Sequence, residues 1–178
     1  MSTLKPLTID QAATELRPAL EGVRRSLGKL PNMFGVLAHS PVALNAYLQL
    51  AGSAGKGTLS ARQRELIALA VGCRNACDYC VAAHTAIGAG VGVSAADALA
   101  ARRGQASDPR DAALLRLAVS IVGGQGHVPA SELVSFKTAG FDDAAILEVL
   151  VNVVLNVLTN WTNHLAGTEI DFPLPAAA

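Results

Sequence analysis

The sequence predicts an all-α fold, a compact bundle of helices. Three observations predict it. Apolar residues make up 51% of the 178 residues but aromatics only 4%, and Ala, Leu and Val supply most of the rest, a mix suited to closely packed helices. Cap and stop residues bracket segments of helical length along the chain. No segment makes a convincing strand.

Taken in order, residues 10–26 form a first amphipathic helix, with Pro18 placed to kink it. Residues 31–39 are short and apolar. Pro41 opens the next helix at its first turn, where a missing N–H costs nothing, and the glycines of 52–57 end it. Ser60 caps a further helix, with Gln63 as the capping-box partner. Residues 66–71 of that helix are apolar all round, which marks a central core helix. Residues 72–76 carry the break. A helix spans 77–90, and Ser94 caps a short one reaching Arg103. Asp108-Pro109 starts a helix to Val122, stopped by Gly123-Gly124; Pro129 opens a short one ended by Gly140; Asp142 caps a long apolar helix to Trp161 or His164. The tail, 170–178, is extended because its prolines forbid helix. Val93-Ser94-Ala95 and Val128-Pro129-Ala130 each open a short helix with an acid four residues after the Val. The bundle thus has two weakly similar halves within one domain, 1–178.

Fourteen Lys and Arg balance 14 Asp and Glu. A neutral chain without a basic run lacks the electrostatic footprint of a nucleic-acid binder. So apolar a composition is not that of a disordered chain. With only 16% charged residues, part of the apolar surface is expected to be buried between subunits. The N-terminal residues have no apolar core of the kind a signal peptide needs. Glu148, Asn152, Asn156 and Asn160 interrupt the most apolar stretch, so no membrane span is expected. The expected location is the cytoplasm.

All three cysteines fall within eight residues: Cys73, Cys77 and Cys80. In a chain with no secretory signal, such a cluster points to redox or metal chemistry. Cys77 and Cys80 are three apart, and Cys80 and His84 four apart, so in a helix all three share a face. The pair also falls at a helix start, where backbone N–H groups stabilise a thiolate. An ordinary thiol, with a pKa of ~8.5, is only about 3% ionised at pH 7. His84 can relay a proton, and a carboxylate touching it would raise its basicity. Glu65, near the start of a run too apolar for a solvated acid, is the candidate. An isolated cysteine is usually a small buried hydrophobe, and Cys73 is read so.

Two other chemistries fit the spacing. Cys73-x3-Cys77-x2-Cys80 matches the iron–sulfur spacing of radical enzymes that use S-adenosylmethionine, but those carry it on a loop after a strand. Cys73, Cys77, Cys80 and His84 would also supply four zinc ligands, but from one short stretch with no second segment to clamp. No cofactor and no metal is therefore expected.

Glu65-x11-Cys77-x-Tyr79-Cys80-x3-His84 resembles the active-site motif of the alkylhydroperoxidase D-like proteins, in the carboxymuconolactone decarboxylase superfamily. The likeness is to the peroxidase-related members with Tyr between the cysteines. It covers residues 41–104, and Asn160-Trp161-x-Asn163-His164 and Asp171-Phe172-Pro173 are similar to that subgroup too. The resemblance implies an all-α fold, assembly as trimers or hexamers, and reduction of hydroperoxides by a dithiol. It implies that Cys80 is the peroxidatic thiolate, which becomes a sulfenic acid, and that Cys77 resolves it as a disulfide. Glu65 and His84 would form the proton relay. Tyr79 stands where the best-studied branch has a histidine, so neither a second imidazole nor that branch's lipoylated donor protein carries over. The electron donor, a dithiol or a protein, stays unassigned.

Asn152, Asn156, Asn160 and His164 recur every four residues along the last helix. This polar stripe is expected to form a seam at a subunit contact; the alternative is that it lines the dithiol pocket. Tyr79, Asn160 and His164 are therefore candidate pocket residues. His39 and His127 stand beside Pro or Gly and receive no chemistry. The expected activity is that of a thiol peroxidase. The alternatives are a dithiol–disulfide reductase or redox sensor that does not turn over peroxide, and a decarboxylase-like lyase, which would need an acid–base site rather than a dithiol.

Overall fold

The computed structural model describes residues 3–175. Among these, nine α-helices and a 3-10 turn at Thr14–Leu16 make up the fold, with no strand. The helices are α1 (Arg17–Leu27), α2 (Asn32–Leu37), α3 (Pro41–Ala54), α4 (Ala61–Arg74), α5 (Asp78–Ala89), α6 (Ala95–Arg102), α7 (Pro109–Gly123), α8 (Ala130–Thr138) and α9 (Asp143–Ala166). The all-α class is as expected. Of the tail, 170–175 has no helix, and 176–178 lies outside the described residues.

Most boundaries follow side-chain caps. Ser60 accepts from the Gln63 N–H and Gln63 returns the bond, as Ser94 and Asp97 do at α6. Asp108 and Asp142 cap α7 and α9 by accepting from first-turn N–H groups, with no returned bond. The first helix differs from expectation. It starts at Arg17, so Pro18 sits in its first turn and kinks nothing; a proline there removes only an N–H that has no helical acceptor. Helix α3 runs on through Gly52 to Ala54, and α4 through Gly72 to Arg74. An isolated glycine costs a helix only about 1 kcal/mol, which tertiary packing readily outweighs.

Helix α4 is the axis of the bundle. Every residue from Leu66 to Gly72 is buried. Ile67 and Val71 face a core with Leu114, Phe136 and Val149, while Leu66 and Leu69 face another with Ala98 and Leu115. Its remaining side meets α5 and α9. At about 1.5–3 kcal/mol for each large apolar side chain buried, this helix anchors the site residues it carries. A third core, around Leu20, Phe34 and Leu44, holds Cys77, Tyr79 and Cys80.

Helix α9 is long and apolar enough to cross a membrane by length and composition. It buries Asn152, Asn156, Asn160 and Asn163 against the rest of the fold, the pattern of a core helix in a folded domain.

Candidate active site

The site is built at the junction of α4 and α5. The Cys77 N–H donates to the Gly72 carbonyl at 2.9 Å and the Ala76 N–H to Cys73 at 3.0 Å, the paired closure of a Schellman motif. The left-handed residue it requires is Ala76, at φ 53°, where glycine is usual. Cys77 is therefore not inside a helix, as the sequence reading had it. It is the N-cap of α5, and its sulfur accepts from the Cys80 N–H at 3.4 Å.

Cys80 lies in the first turn of α5 and is 2% exposed. Both motif cysteines are free thiols. The Asn163 amide, reaching over from α9, donates to the Cys80 sulfur at 3.3 Å. The Cys80 thiol is lowered to about 6: hydrogen bonding from Cys77 is the main cause, and His84, Asn163 and Asn160 outweigh the opposing effect of burial. Cys77 moves the other way, pushed up by its bond to Cys80 and by burial. The two sulfurs share one proton that stays on Cys77. At pH 7 a thiol titrating near 6 is about nine-tenths thiolate, far above an unperturbed one.

His84 comes from the next turn of α5 and Glu65 from α4, their Nδ1 and Oε2 atoms 2.8 Å apart. Burial lowers the His84 pKa, but the Glu65 carboxylate and the Cys80 sulfur together raise it above the ordinary value. Both negative groups favour the protonated form of the ring. Cys80, His84 and Glu65 line one cavity of about 250 Å³, walled largely by apolar side chains including Met33, Phe34 and Phe172.

Tyr79 sits inside the fold with its ring edge-on to Phe172, centroids 5.8 Å apart. Its hydroxyl donates to Asp171 at 2.8 Å and accepts from the Met33 N–H at 3.2 Å. Burial pushes its pKa up, so it stays a neutral phenol. Asp171 also pairs with Lys29 at 3.1 Å and accepts from the Asn32 N–H at 3.3 Å. Tyr79 therefore pins the C-terminal tail, and Phe172 of that tail walls the cavity.

The stripe on α9 divides. Asn152 and Asn156 line the cavity. Asn160 is fully buried and accepts from the Asn75 amide at 2.8 Å. Its own amide nitrogen has no hydrogen-bond partner, yet it helps lower the Cys80 thiol. His164 is exposed, and its ring pairs with the Ala76 carbonyl at 3.2 Å, outside the cavity. The reason is helical drift: a step of four residues overshoots a turn by roughly 40°, so three steps carry His164 off the cavity side.

Cys73, expected to be buried, is half-exposed on the last turn of α4. Among the described residues, no three His, Cys, Asp or Glu side chains converge as metal ligands. The reading of the sequence gave Asn163 no role in the site, although it stands in the Asn160-Trp161-x-Asn163-His164 segment that resembles the subgroup. It also missed Tyr47. That ring lines the cavity, stacks edge-on to Phe34 at 5.5 Å, and has its pKa raised to about 12 by burial and by Glu65 and Cys80.

Residues 41–113 match the carboxymuconolactone decarboxylase family. No curated protein matches the chain. Among solved structures, the chain is similar to an uncharacterized peroxidase-related protein from Silicibacter sp. TM1040, at 21% identity and a TM-score of 0.84 over 98% of this chain and 95% of that one. It is similar to an alkylhydroperoxidase AhpD core protein, peroxidase-related, from Ralstonia eutropha JMP134, at 23% identity and a TM-score of 0.84 over 96% and 94%. It is also similar to the debrominase Bmp8 in complex with 2,3,4-tribromopyrrole, at 19% identity and a TM-score of 0.82 over 96% and 92%. At these identities the likeness is one of fold. The family match covers the segment that carries Glu65, Cys77, Cys80 and His84, and the likeness of fold extends over nearly the whole chain.

Proposed function

We propose that this protein is a thiol peroxidase that reduces organic hydroperoxides through a dithiol–disulfide cycle. One observation carries the reading: a thiolate-prone Cys80 opens onto an apolar cavity beside a Glu65–His84 pair, with a second thiol at its own helix cap. The Cys80 thiolate attacks the terminal oxygen of ROOH, and the O–O bond breaks. Protonated His84 supplies the proton for the departing alkoxide, so ROH leaves and Cys80 becomes a sulfenic acid. The Cys77 thiol then attacks that sulfur, forming the disulfide and releasing water. Two electrons and two protons from an external dithiol restore the reduced pair. Such a cycle needs a reducing compartment, as the cytoplasm is.

The test is steady-state consumption of cumene hydroperoxide with dithiothreitol as reductant. Wild type is expected to turn over, and Cys80→Ser to lose all turnover. Glu65→Gln, which leaves His84 without its carboxylate, is expected to slow turnover about 10²- to 10⁴-fold, the usual contribution of a positioned acid–base group. Failure of fully reduced wild type to turn over would leave a dithiol–disulfide reductase or a redox sensor.

A second reading is favoured by the aromatic walls of the cavity, Phe34, Tyr47 and Phe172, together with the similar debrominase fold. The same two thiols would reduce a carbon–bromine bond, giving the protonated ring, bromide and the disulfide. Bromide release from a brominated aromatic under the same conditions separates the two.

A further inference from the structure

We infer that the cavity takes a small amphiphilic carboxylate, with Arg64 holding its head group and the Cys80 end receiving its apolar, reactive end. Helix α4 contributes two consecutive charged residues to the cavity lining, Arg64 and Glu65. The Glu65 carboxylate is committed to His84 at 2.8 Å. Arg64 has no such commitment. One of its guanidinium nitrogens donates to the Leu59 carbonyl, and no carboxylate of the described residues makes an ion pair with it. It is half-buried beside apolar walls, where a cation without a counter-ion is costly. A guanidinium with free N–H groups presents a fork matched to a carboxylate.

The charges also set an orientation. Cys80 as thiolate and Glu65 repel an anion from the reactive end, and Arg64 attracts it. The apolar body meets the apolar lining, Met33, Phe34 and Ile87 among it. About 250 Å³ is room for roughly eight waters at ~30 Å³ each, below the usual range for drug-sized ligands. The ligand is therefore small, a substituted ring or short branched chain. That its reacting group is a hydroperoxide rests on the function proposed above; the anionic head group does not, so its test uses binding rather than turnover.

The test measures protection of Cys80 against alkylation by iodoacetamide, read at the Cys80 peptide by mass spectrometry on the reduced protein. The probes are 4-isopropylbenzoate and its neutral counterpart 4-isopropylbenzamide. Wild type is expected to be half-protected by the benzoate at about tenfold lower concentration than by the benzamide. Arg64→Gln is expected to erase that ratio while leaving protection by the benzamide unchanged, which also reports an intact cavity. Arg64→Lys, keeping the charge, is expected to retain part of the ratio. Equal protection by both probes in wild type overturns the proposal, as does a ratio that survives Arg64→Gln. Stronger protection by 4-isopropylphenyl phosphate than by the benzoate overturns the carboxylate in favour of a phosphate head group.

Discussion

Cys77 serves three neighbours at once. Its N–H closes α4, its sulfur caps α5, and its thiol proton stabilises the charge on Cys80. Cys77→Ala removes the last two of these and is expected to raise the Cys80 pKa. A hydrogen bond to a charged group is worth ~1.5–3 kcal/mol, or about one to two pH units. The rate of Cys80 alkylation should therefore rise with pH through a midpoint near 6 in wild type and be flat above it. In Cys77→Ala the midpoint moves up by at least about one unit, and in Asn163→Ala it moves the same way by less. A midpoint unmoved in both variants would refute this account of the thiolate. Ala76 makes an opposite case, because its φ of 53° suits glycine. Ala76→Gly relieves ~1–2 kcal/mol of backbone strain and forfeits about 0.4–1 kcal/mol by loosening the unfolded chain. The net gain should be about 0.5–1 kcal/mol, or roughly 2 °C in Tm for a chain of this size, measurable by calorimetry; a lower Tm would contradict it.

At the scale of the element, the α4–α5 pair is largely legible in the sequence. The capping box at Ser60, the all-round apolar run after Glu65 and the spacing of Cys80 and His84 each state their role locally. What was not legible involves partners distant in sequence. Asn163 meets Cys80 from α9, and Asp171 meets Tyr79 from the tail, and no local period encodes either meeting. Cys77 was misread for a related reason: two cysteines three apart fit a helical face, but the backbone before them is already committed to closing α4. The tail is the element whose role emerged only in three dimensions. Asp171 gathers the Tyr79 hydroxyl, the Lys29 ammonium and the Asn32 N–H, and Lys29 also lies 3.9 Å over the Phe172 ring. Asp171→Ala releases the Tyr79 hydroxyl and the Asn32 N–H, leaves Lys29 only its bond to the residue-171 carbonyl, and leaves the Tyr79 hydroxyl without its carboxylate acceptor. The expected result is faster amide exchange over residues 168–175 and faster alkylation of Cys80, with a stability loss of about 1–3 kcal/mol. Unchanged exchange there would show that Phe172 packing alone holds the tail.

For the whole molecule, the informative feature is the outward face of α9. Its inner face carries the buried asparagines, while its outer face carries Leu147, Leu150, Val154, Leu158, Trp161 and Leu165, all exposed. These positions follow steps of three and four, so they form one stripe along the helix. Trp161 is 65% exposed and Leu165 76%. Monomeric proteins rarely leave a contiguous apolar surface of more than a few hundred Å² uncovered, and a chain with 16% charged residues has little else to mask it. The stripe is expected to be the contact between copies of this chain, assembled as the trimer or hexamer that the sequence resemblance implies. Because Asn152 and Asn156 face the cavity rather than this surface, the contact is apolar, and a charge placed in it should break it. The double variant Trp161→Glu, Leu165→Glu is expected to lower the mass seen by light scattering at micromolar concentration to that of one chain. Since neither residue lines the cavity, the variant should keep the pH midpoint of Cys80 alkylation near 6. Wild type that is already a single chain at that concentration would refute the assembly.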